Sequence, residues 1–460
     1  MNDAGDPTSN DLILAGGVLI DGTGASPLER SWIHVRRGRI VAVGQGSPPA
    51  VPSATAIDTS GHSVLPGLSD MHVHVAHGSL ARSKWVLKLL LAHGVTALKD
   101  AGGPLGKLAA VRRWLALDDV NPRLRISGVT LNGAENELRF LREGRDTQLL
   151  LENNLAFGVE FLKIHNWISS AAMRQIAAFA REHDIFLTGH VPLSMTSVEA
   201  ISQGLTILEH VRAHPGEVHD DPAYIGRFPL DLRVMRRTAH WARFDPGSRA
   251  VTRTLEGWQA HRDRIFLDPT IVVQNVVSNV GERRRTDGPR VDHLSPGIQA
   301  IVRAAGSPYI DPLSDDEITE LQDSVAGMTA FTGLAHRAGI RILTGTDTVD
   351  GLVAPGASLI RELEYLVEAG LSPVEAIHSS TGQAAAAFRA PDEGTIRAGS
   401  RADLVIARGD AARDIRALND IEQVMLGGRL HERVDLLAAA AALASADQPA
   451  VPAGSPAKKG

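Results

Sequence analysis

Short β-rich runs open the chain: LILAGGVLI, SWIHVRRGRIVAVG and SATAIDTSGH lie between Asp11 and Ser63, separated by Gly, Pro and Asp turns. The same texture returns near the other end in GTIRAGSRADLVIARG and VMLGGRL. Together the two ends predict one composite β-sandwich domain over 11–65 and 395–435. Between them strand-like runs alternate with helical ones. The strands are VLPGLSDMHVHV, VTALKDAG, LRISGVTL, VEFLKIHNW, IFLTGHV, TILEHV, IFLDPTIVV and RILTGTD, with helices near Ala81 to His93, Leu105 to Leu117, Ala171 to His183 and Thr196 to Gln203. Repeated β-then-α units imply parallel strands joined by right-handed crossovers, and eight such strands close a barrel. The predicted fold class is therefore α/β, a (β/α)8 TIM barrel over 66–394 with the small composite domain beside it. Periodicity leaves the stretches from Gly216 to Arg264 and from Gly281 to Gly339 as insertions without assigned elements. The last segment, 446–460, is rich in Ala, Pro, Ser and Lys and predicts a disordered tail.

Composition narrows the possible partners. With 43% hydrophobic and 22% charged residues, the 460-residue chain can bury a substantial core. Its formal charge of −6, from 47 basic against 53 acidic residues, offers no basic field for nucleic acid or anionic lipid. The apolar segments Trp85 to Ala92 and Leu436 to Ala444 fall short of the ~20 residues that cross a bilayer. The first ten residues, MNDAGDPTSN, carry neither a basic nor an apolar leader region, so the expected compartment is the cytoplasm. The absence of cysteine excludes disulfides, thiolate metal sites and thiol nucleophiles. Any metal must be held by histidine, carboxylate or something less usual.

The sharpest local signal is His72-Val73-His74 at the end of a strand, where period-2 alternation points both imidazoles to one side. His190 ends IFLTGHV, His210 ends TILEHV and Asp347 ends RILTGTD, each at the carboxyl end of a different predicted strand. Barrel enzymes keep their active sites at that face. Four histidines and a carboxylate converging there make a nitrogen and oxygen donor set suited to zinc or a similar divalent ion. Lys163, in VEFLKIHNW, occupies the corresponding end of the fourth strand. An ammonium there would be repelled by a metal, unless it sits outside the barrel or in an ion pair. A neutral amine that captures carbon dioxide becomes an anionic carbamate, and charge balance favours that form. Asp70, just before the histidine pair, is expected to support the strand end. His77, His165, His214 and His219 are expected at the surface or behind the ligands.

PGLSDMHVH, the Lys163 strand, GHV, LEH and TGTD, in this order, resemble the metal-dependent amidohydrolase superfamily. The nearer likeness is to its imidazolonepropionase-like branch, which includes prolidase-like carboxypeptidases and ochratoxin-type amidohydrolases. The resemblance extends through PGASLIRELEYLVEAG, LSPVEAIHSSTGQAAAAF and GTIRAGSRADLVIARGD, and so covers nearly the whole chain. It implies two divalent metal ions, zinc being the expected one: His72, His74 and Asp347 on the more buried ion, His190 and His210 on the more exposed one, and N-carboxylated Lys163 bridging them. It also implies that Asp347 is the general base, taking a proton from the attacking water and returning it to the departing amine. The implied reaction is hydrolysis of an amide bond in a small molecule such as an N-acyl amino acid, a dipeptide or an aryl amide, by a homo-oligomer.

The chain departs from this pattern after the third strand. Relatives often carry a TGGHG-like turn there, whereas this chain reads SGVTLNGAENE, which lacks the polarising histidine. Asn132 is a candidate neutral donor in its place, against the alternative of a loop asparagine bonded to backbone. Arg212, two residues beyond His210, is a candidate partner for a substrate carboxylate. A deaminase of the same barrel type would carry a glutamate three residues after the fifth-strand histidine, and Leu193 stands there. An esterase or lactonase using the same centre is the main alternative, and a barrel that has lost its chemistry is the third.

Overall fold

The computed structural model describes residues 11–52, 54–134, 139–229, 234–278, 314–348 and 353–447. The amino-terminal runs form β1 (Leu12–Ala15), β2 (Val18–Leu19), β3 (Ser31–Arg36), β4 (Arg39–Gln45), β5 (Thr55–Asp58) and β6 (His62–Pro66). Arg37 and Gly38, both at positive φ (49° and 74°), make the two-residue turn between β3 and β4, whose twist suits a tight hairpin.

Two groups of parallel strands follow. The first contains β7 (Leu68–Val73), β8 (Val95–Asp100) and β9 (Arg123–Ile126). The second contains β10 (Phe161–Ile164), β11 (Phe186–Gly189), β12 (Leu205–Glu209), β13 (Phe266–Asp268) and β14 (Arg341–Ile342), in that order. Backbone bonds run between the groups at both edges. Leu131 N–H donates to Lys163 O at 2.8 Å on one side, and Asp347 N–H donates to His72 O at 2.8 Å on the other. The arrangement is a barrel-like α/β layer. Every residue of β7 and β8 is buried, as expected of strands covered on both faces.

The covering helices start where the sequence supplies caps. Ser79 accepts from Arg82 N–H ahead of Leu80–Ala92, Ser169 from Ala172 N–H ahead of Ser170–Glu182, and Thr196 forms a capping box with Glu199 ahead of Ser197–Gln203. The chain then returns through β15 (Leu404–Arg408), β16 (Ile421–Leu426) and β17 (Arg429–Glu432). These join β6 and β2 in one sheet of order β17-β16-β15-β6-β2, while β4-β3-β1-β5 form another. Leu14, Ile33 and Val35 of one sheet share a core with Val64, Leu404, Ile406 and Met425 of the other. The final helix, Arg433–Asp447, buries Leu436, Ala440 and Ala444 in the same core as Leu87 and Leu91 of the Leu80–Ala92 helix.

Three readings of the sequence need revision. The run VLPGLSDMHVHV is two strands: β6 pairs with β15, β7 pairs with β8, and Gly67 divides them. A side chain at Gly67 would come 2.1 Å from Thr96 Oγ1. The run IFLDPTIVV is a strand only as far as Asp268, after which Ile271–Ser278 is a helix. Pro269 supplies no donor to a ladder, and Thr270 turns the chain at φ 47°. The insertion after Gly216 contains the helix Arg249–Gln259, capped by Ser248. Of the expected tail, only the end of the last helix lies within the described residues. No helix among the described residues is long and apolar enough to cross a membrane.

Candidate metal centre

His72 lies on β7 and His74 follows it; His190 follows β11, His210 follows β12, and Asp347 lies beyond β14. Parallel strands that end together bring these residues to one rim. Asp347 Oδ1 is 3.5 Å from His72 Nε2 and 3.2 Å from His74 Nε2. The His210 ring centroid is 4.6 Å from that of His72 and 4.7 Å from that of His190. One donor atom each from His72, His210 and Asp347 lie within 4.8 Å of one another, as do donors from His190, Glu209 and His210. His210 thus belongs to both groups, whereas the family resemblance assigns it to only one ion.

Three of the four imidazoles are oriented through Nδ1. His74 Nδ1 is 3.2 Å from Gly102 O, His190 Nδ1 is 2.8 Å from Asn166 Oδ1, and His210 Nδ1 is 2.6 Å from Thr270 Oγ1. With Nδ1–H donating in each case, Nε2 keeps its lone pair and faces the rim, the usual arrangement behind metal-binding histidines. His72 Nδ1 is buried with no hydrogen-bond partner. That nitrogen lies 3.4 Å from Glu209 Oε2, while Nε2 faces Asp347; a buried, neutral imidazole nitrogen beside a carboxylate and two more imidazoles fits a divalent cation.

Electrostatics agrees with that donor set. Burial holds the His72 and His190 imidazoles well below their ordinary pKa and takes His210 down to about 3, so all three are neutral near pH 7. Burial alone would raise Asp347, but the surrounding His72, His74 and His210 hold its carboxyl well below the usual range. Burial also opposes protonation of His74, yet Asp347 raises it.

Lys163, on β10, points into the interior and is ion-paired with Glu209. The cation therefore already has its counter-charge, and charge balance by itself does not require a carbamate. Glu209 was not singled out from the sequence, although it stands in the LEH run. It is fully buried and also accepts from Lys99 at 2.6 Å and Thr188 at 2.6 Å. Two lysines share one glutamate. Asp268, on β13, has both carboxyl oxygens buried without a hydrogen bond, and burial pushes its pKa well above the usual value. A side chain at Gly345 would come 2.5 Å from one Asp268 oxygen and 2.8 Å from His72 Cβ. The TGTD run needs glycine there.

His210 (φ 68°), Thr270 (φ 47°) and Asp347 (φ 57°) occupy the left-handed region. A non-glycine residue there costs on the order of 1–3 kcal/mol and is kept only where surrounding contacts over-determine it. At Asp347 those contacts come from Asp70, which accepts from the N–H and hydroxyl of Thr346.

The remaining candidates separate. Arg212 Nη1 is 3.4 Å from Asn166 Oδ1, the atom that also orients His190. Arg212 lines a pocket with Val191, Leu193, His214, Arg237 and Trp241, and none of the lining residues among those described is acidic. Asn132 instead accepts Trp167 N–H at 2.9 Å, the backbone-bonded role considered for it. His77 stacks on His74, and His165 lies 3.9 Å from His190, centroid to centroid. Of the two positions expected for it, His219 does not take the surface one: it is buried, with Nε2 2.9 Å from His240 O.

Comparison with known proteins agrees with this architecture. The Amidohydrolase family model matches residues 63–431. Imidazolonepropionase from Alkaliphilus metalliredigens (strain QYMF) is 33% identical over 90 residues, 19% of this chain and 21% of that protein. D-aminoacylase from Alcaligenes xylosoxydans xylosoxydans is 41% identical over 88 residues, 19% of this chain and 17% of that protein. The match thus spans about a fifth of each of these curated relatives. Among solved structures, a bottromycin amidohydrolase superposes with a TM-score of 0.68 at 22% identity, covering 96% of this chain and 94% of that one, a likeness of fold. With the strands described above, it gives a TIM-barrel-like α/β fold.

Proposed function

The chain belongs to the amidohydrolase family, and from that membership we propose that it is a metal-dependent hydrolase of an amide (C–N) bond in a small acyl-amine substrate. The observation that carries the reading is the set of three imidazoles pinned through Nδ1, two of them beside the Asp347 carboxylate and the third beside His210. His72, His74, His190, His210 and Asp347 would hold two divalent ions, with zinc favoured by a nitrogen-rich donor set free of sulfur. Bound there, such ions supply electrophilic activation of water and of a carbonyl. Lys163 is the proposed bridging ligand once carboxylated. Burial lowers its pKa towards the neutral amine that reacts with carbon dioxide, while Lys99 stays paired with Glu209.

Asp347 is the proton carrier in this reading. Its Oδ1 accepts a proton from the attacking water and returns it to the departing nitrogen, which needs protonation because an amide anion leaves poorly. The narrow cleft beside Asn166, about 50 Å³, would admit only one end of the substrate. Arg212 and Arg237 line it, and a carboxylate suits their guanidinium groups. The names D-aminoacylase and N-acyl-D-aspartate deacylase among similar proteins favour an N-acyl amino acid over an aryl amide. We read the edge-to-edge backbone bonds as the two seams of one eight-strand ring, and the two outer sheets as a composite β-sandwich. A homo-oligomer is part of the same proposal.

The test is elemental analysis of protein loaded with zinc in bicarbonate, followed by a panel of N-acyl amino acids, dipeptides, aryl amides, esters and lactones. About two metals per chain and turnover of an N-acyl amino acid are expected. Full activity with one metal and an unmodified Lys163 would overturn the binuclear centre.

A further inference from the structure

Glu362 lies on the helix Ala357–Glu368, outside the ring of donors, and is fully buried. Its side chain makes no ion pair among the described contacts; instead its two oxygens cap a neighbouring helix. Oε1 accepts Ile271 N–H at 2.9 Å and Oε2 accepts Val272 N–H at 2.7 Å, the first two amides of the helix Ile271–Ser278. Those amides have no partner within their own helix, and a capping acceptor normally comes from the residue just before. That residue here is Thr270, and its hydroxyl is engaged elsewhere, 2.6 Å from His210 Nδ1. Thr270 is fully buried and holds φ 47°, a conformation that a β-branched residue rarely adopts. The residue that would cap the helix has been turned away from it, and a carboxyl group from another helix does the capping.

We propose that Glu362 is a positioning residue for the metal centre: by clamping Ile271 and Val272 it holds Thr270 in its left-handed turn, and Thr270 thereby fixes the ring of His210. The chain of contact is short and continuous. Glu362 bonds the two residues after Thr270, Thr270 bonds His210, and His210 N–H donates to Asp268 O at 2.9 Å just before that turn. With the clamp released, Thr270 relaxes to a right-handed conformation, its hydroxyl leaves Nδ1, and the ring rotates. His210 belongs to both donor groups, so its orientation bears on both. The inference rests on reading His210 as a metal ligand, and the experiment separates the two.

Metal-free protein labelled with 15N-histidine is compared with Glu362→Met, which fills the volume without accepting, Glu362→Gln, which keeps one acceptor, Thr270→Val and Thr270→Ser. His210→Gln identifies the His210 resonances. The expected result is a displaced His210 Nδ1 signal in Glu362→Met and Thr270→Val, a smaller change in Glu362→Gln, and a signal near wild type in Thr270→Ser. Cobalt(II) titration followed by its visible spectrum should then give affinity about 10- to 100-fold weaker in the first two variants, with an altered band, and near wild type in Thr270→Ser. An unchanged His210 signal in folded Glu362→Met overturns the proposal, as does a displaced signal with unchanged cobalt affinity and spectrum. Should Glu362→Met not fold, Glu362→Gln and the Thr270 pair decide in the same way. Wild-type protein that binds cobalt no better than His210→Gln would overturn the metal reading of His210, while the histidine signals still judge the clamp.

Discussion

Asp70 Oδ2 accepts the Thr346 hydroxyl at 2.6 Å, and Asp70 Oδ1 accepts Thr346 N–H at 3.0 Å. The same Oδ1 accepts His72 N–H at 3.2 Å. One carboxyl group thus ties His72 to the residue preceding Asp347, and the two donors meet because their backbones share an acceptor. Burial lifts its pKa to about 7, so these bonds are made in a dry environment where losing them is costly.

Asp70→Ala is therefore expected to destabilise the fold by roughly 3 kcal/mol, since it strands buried donors. The urea midpoint measures this. Zinc content after dialysis should fall in the same variant. An unchanged midpoint together with full metal content would show that the Asp347 turn is held by other contacts.

Asp347→Asn should lower turnover by about 10² to 10⁴ on amide substrates if the carboxylate moves a proton. The comparison requires matched metal content and a circular dichroism spectrum equal to wild type. Near-normal turnover under those conditions would assign the proton to another group.

The sequence made the rim of the site legible and left its supports hidden, for a physical reason. Period-2 alternation and strand ends place His72, His74, His190, His210 and Asp347 because both follow from local geometry. Glu209, Lys99 and Thr188 meet from three different strands inside the layer, and nothing local marks a buried glutamate in LEH as the partner of two lysines. Thr270 was hidden differently. IFLDPTIVV is uniformly apolar apart from Asp268, Pro269 and Thr270, so hydrophobicity read it as one strand. The Pro269 signal in the middle was the available hint. Glu362 sits in RELEYLVEAG among other charges, and only the packing of two helices distinguishes it from Glu364 and Glu368.

Glu362 also has a consequence for stability. Burial raises its pKa from 4.5 to about 8, so the folded state binds a proton there that the unfolded state has released. Between pH 4.5 and about 8 the folded state carries more protons, and the contribution of this group to stability falls as pH rises. Glu362→Gln does not titrate. Its stability relative to wild type should therefore rise across that window, read as the difference between two urea-midpoint profiles. Parallel profiles would mean that the folded carboxyl titrates as it does in the unfolded chain.

Arg212→Lys keeps the charge and removes the planar fork. If Arg212 meets a substrate carboxylate, kcat/KM for N-acyl amino acids should fall about tenfold or more, a difference of ~1.4 kcal/mol or above, mainly through KM. The corresponding N-acyl amino acid amides, which lack the carboxylate, should be turned over as by wild type. Equal losses on both would place Arg212 behind the site, supporting Asn166 and through it His190.

The identity of the scissile bond is tested by the leaving group. An amide nitrogen must be protonated as it departs, whereas the alcohol of an activated aryl ester leaves as a stable anion. Asp347 Oδ1, 3.2 Å from His74 Nε2 and partly open to the rim, is the group positioned to carry that proton. Asp347→Asn should therefore damage amide turnover much more than turnover of the aryl ester, after correction for metal content. Loss of equal size on both would mean that formation of the nucleophile, and not proton return, limits both reactions. Failure to cleave any amide in a broad panel, beside efficient turnover of an unactivated ester or lactone, would replace the amidase reading with an esterase built on the same centre.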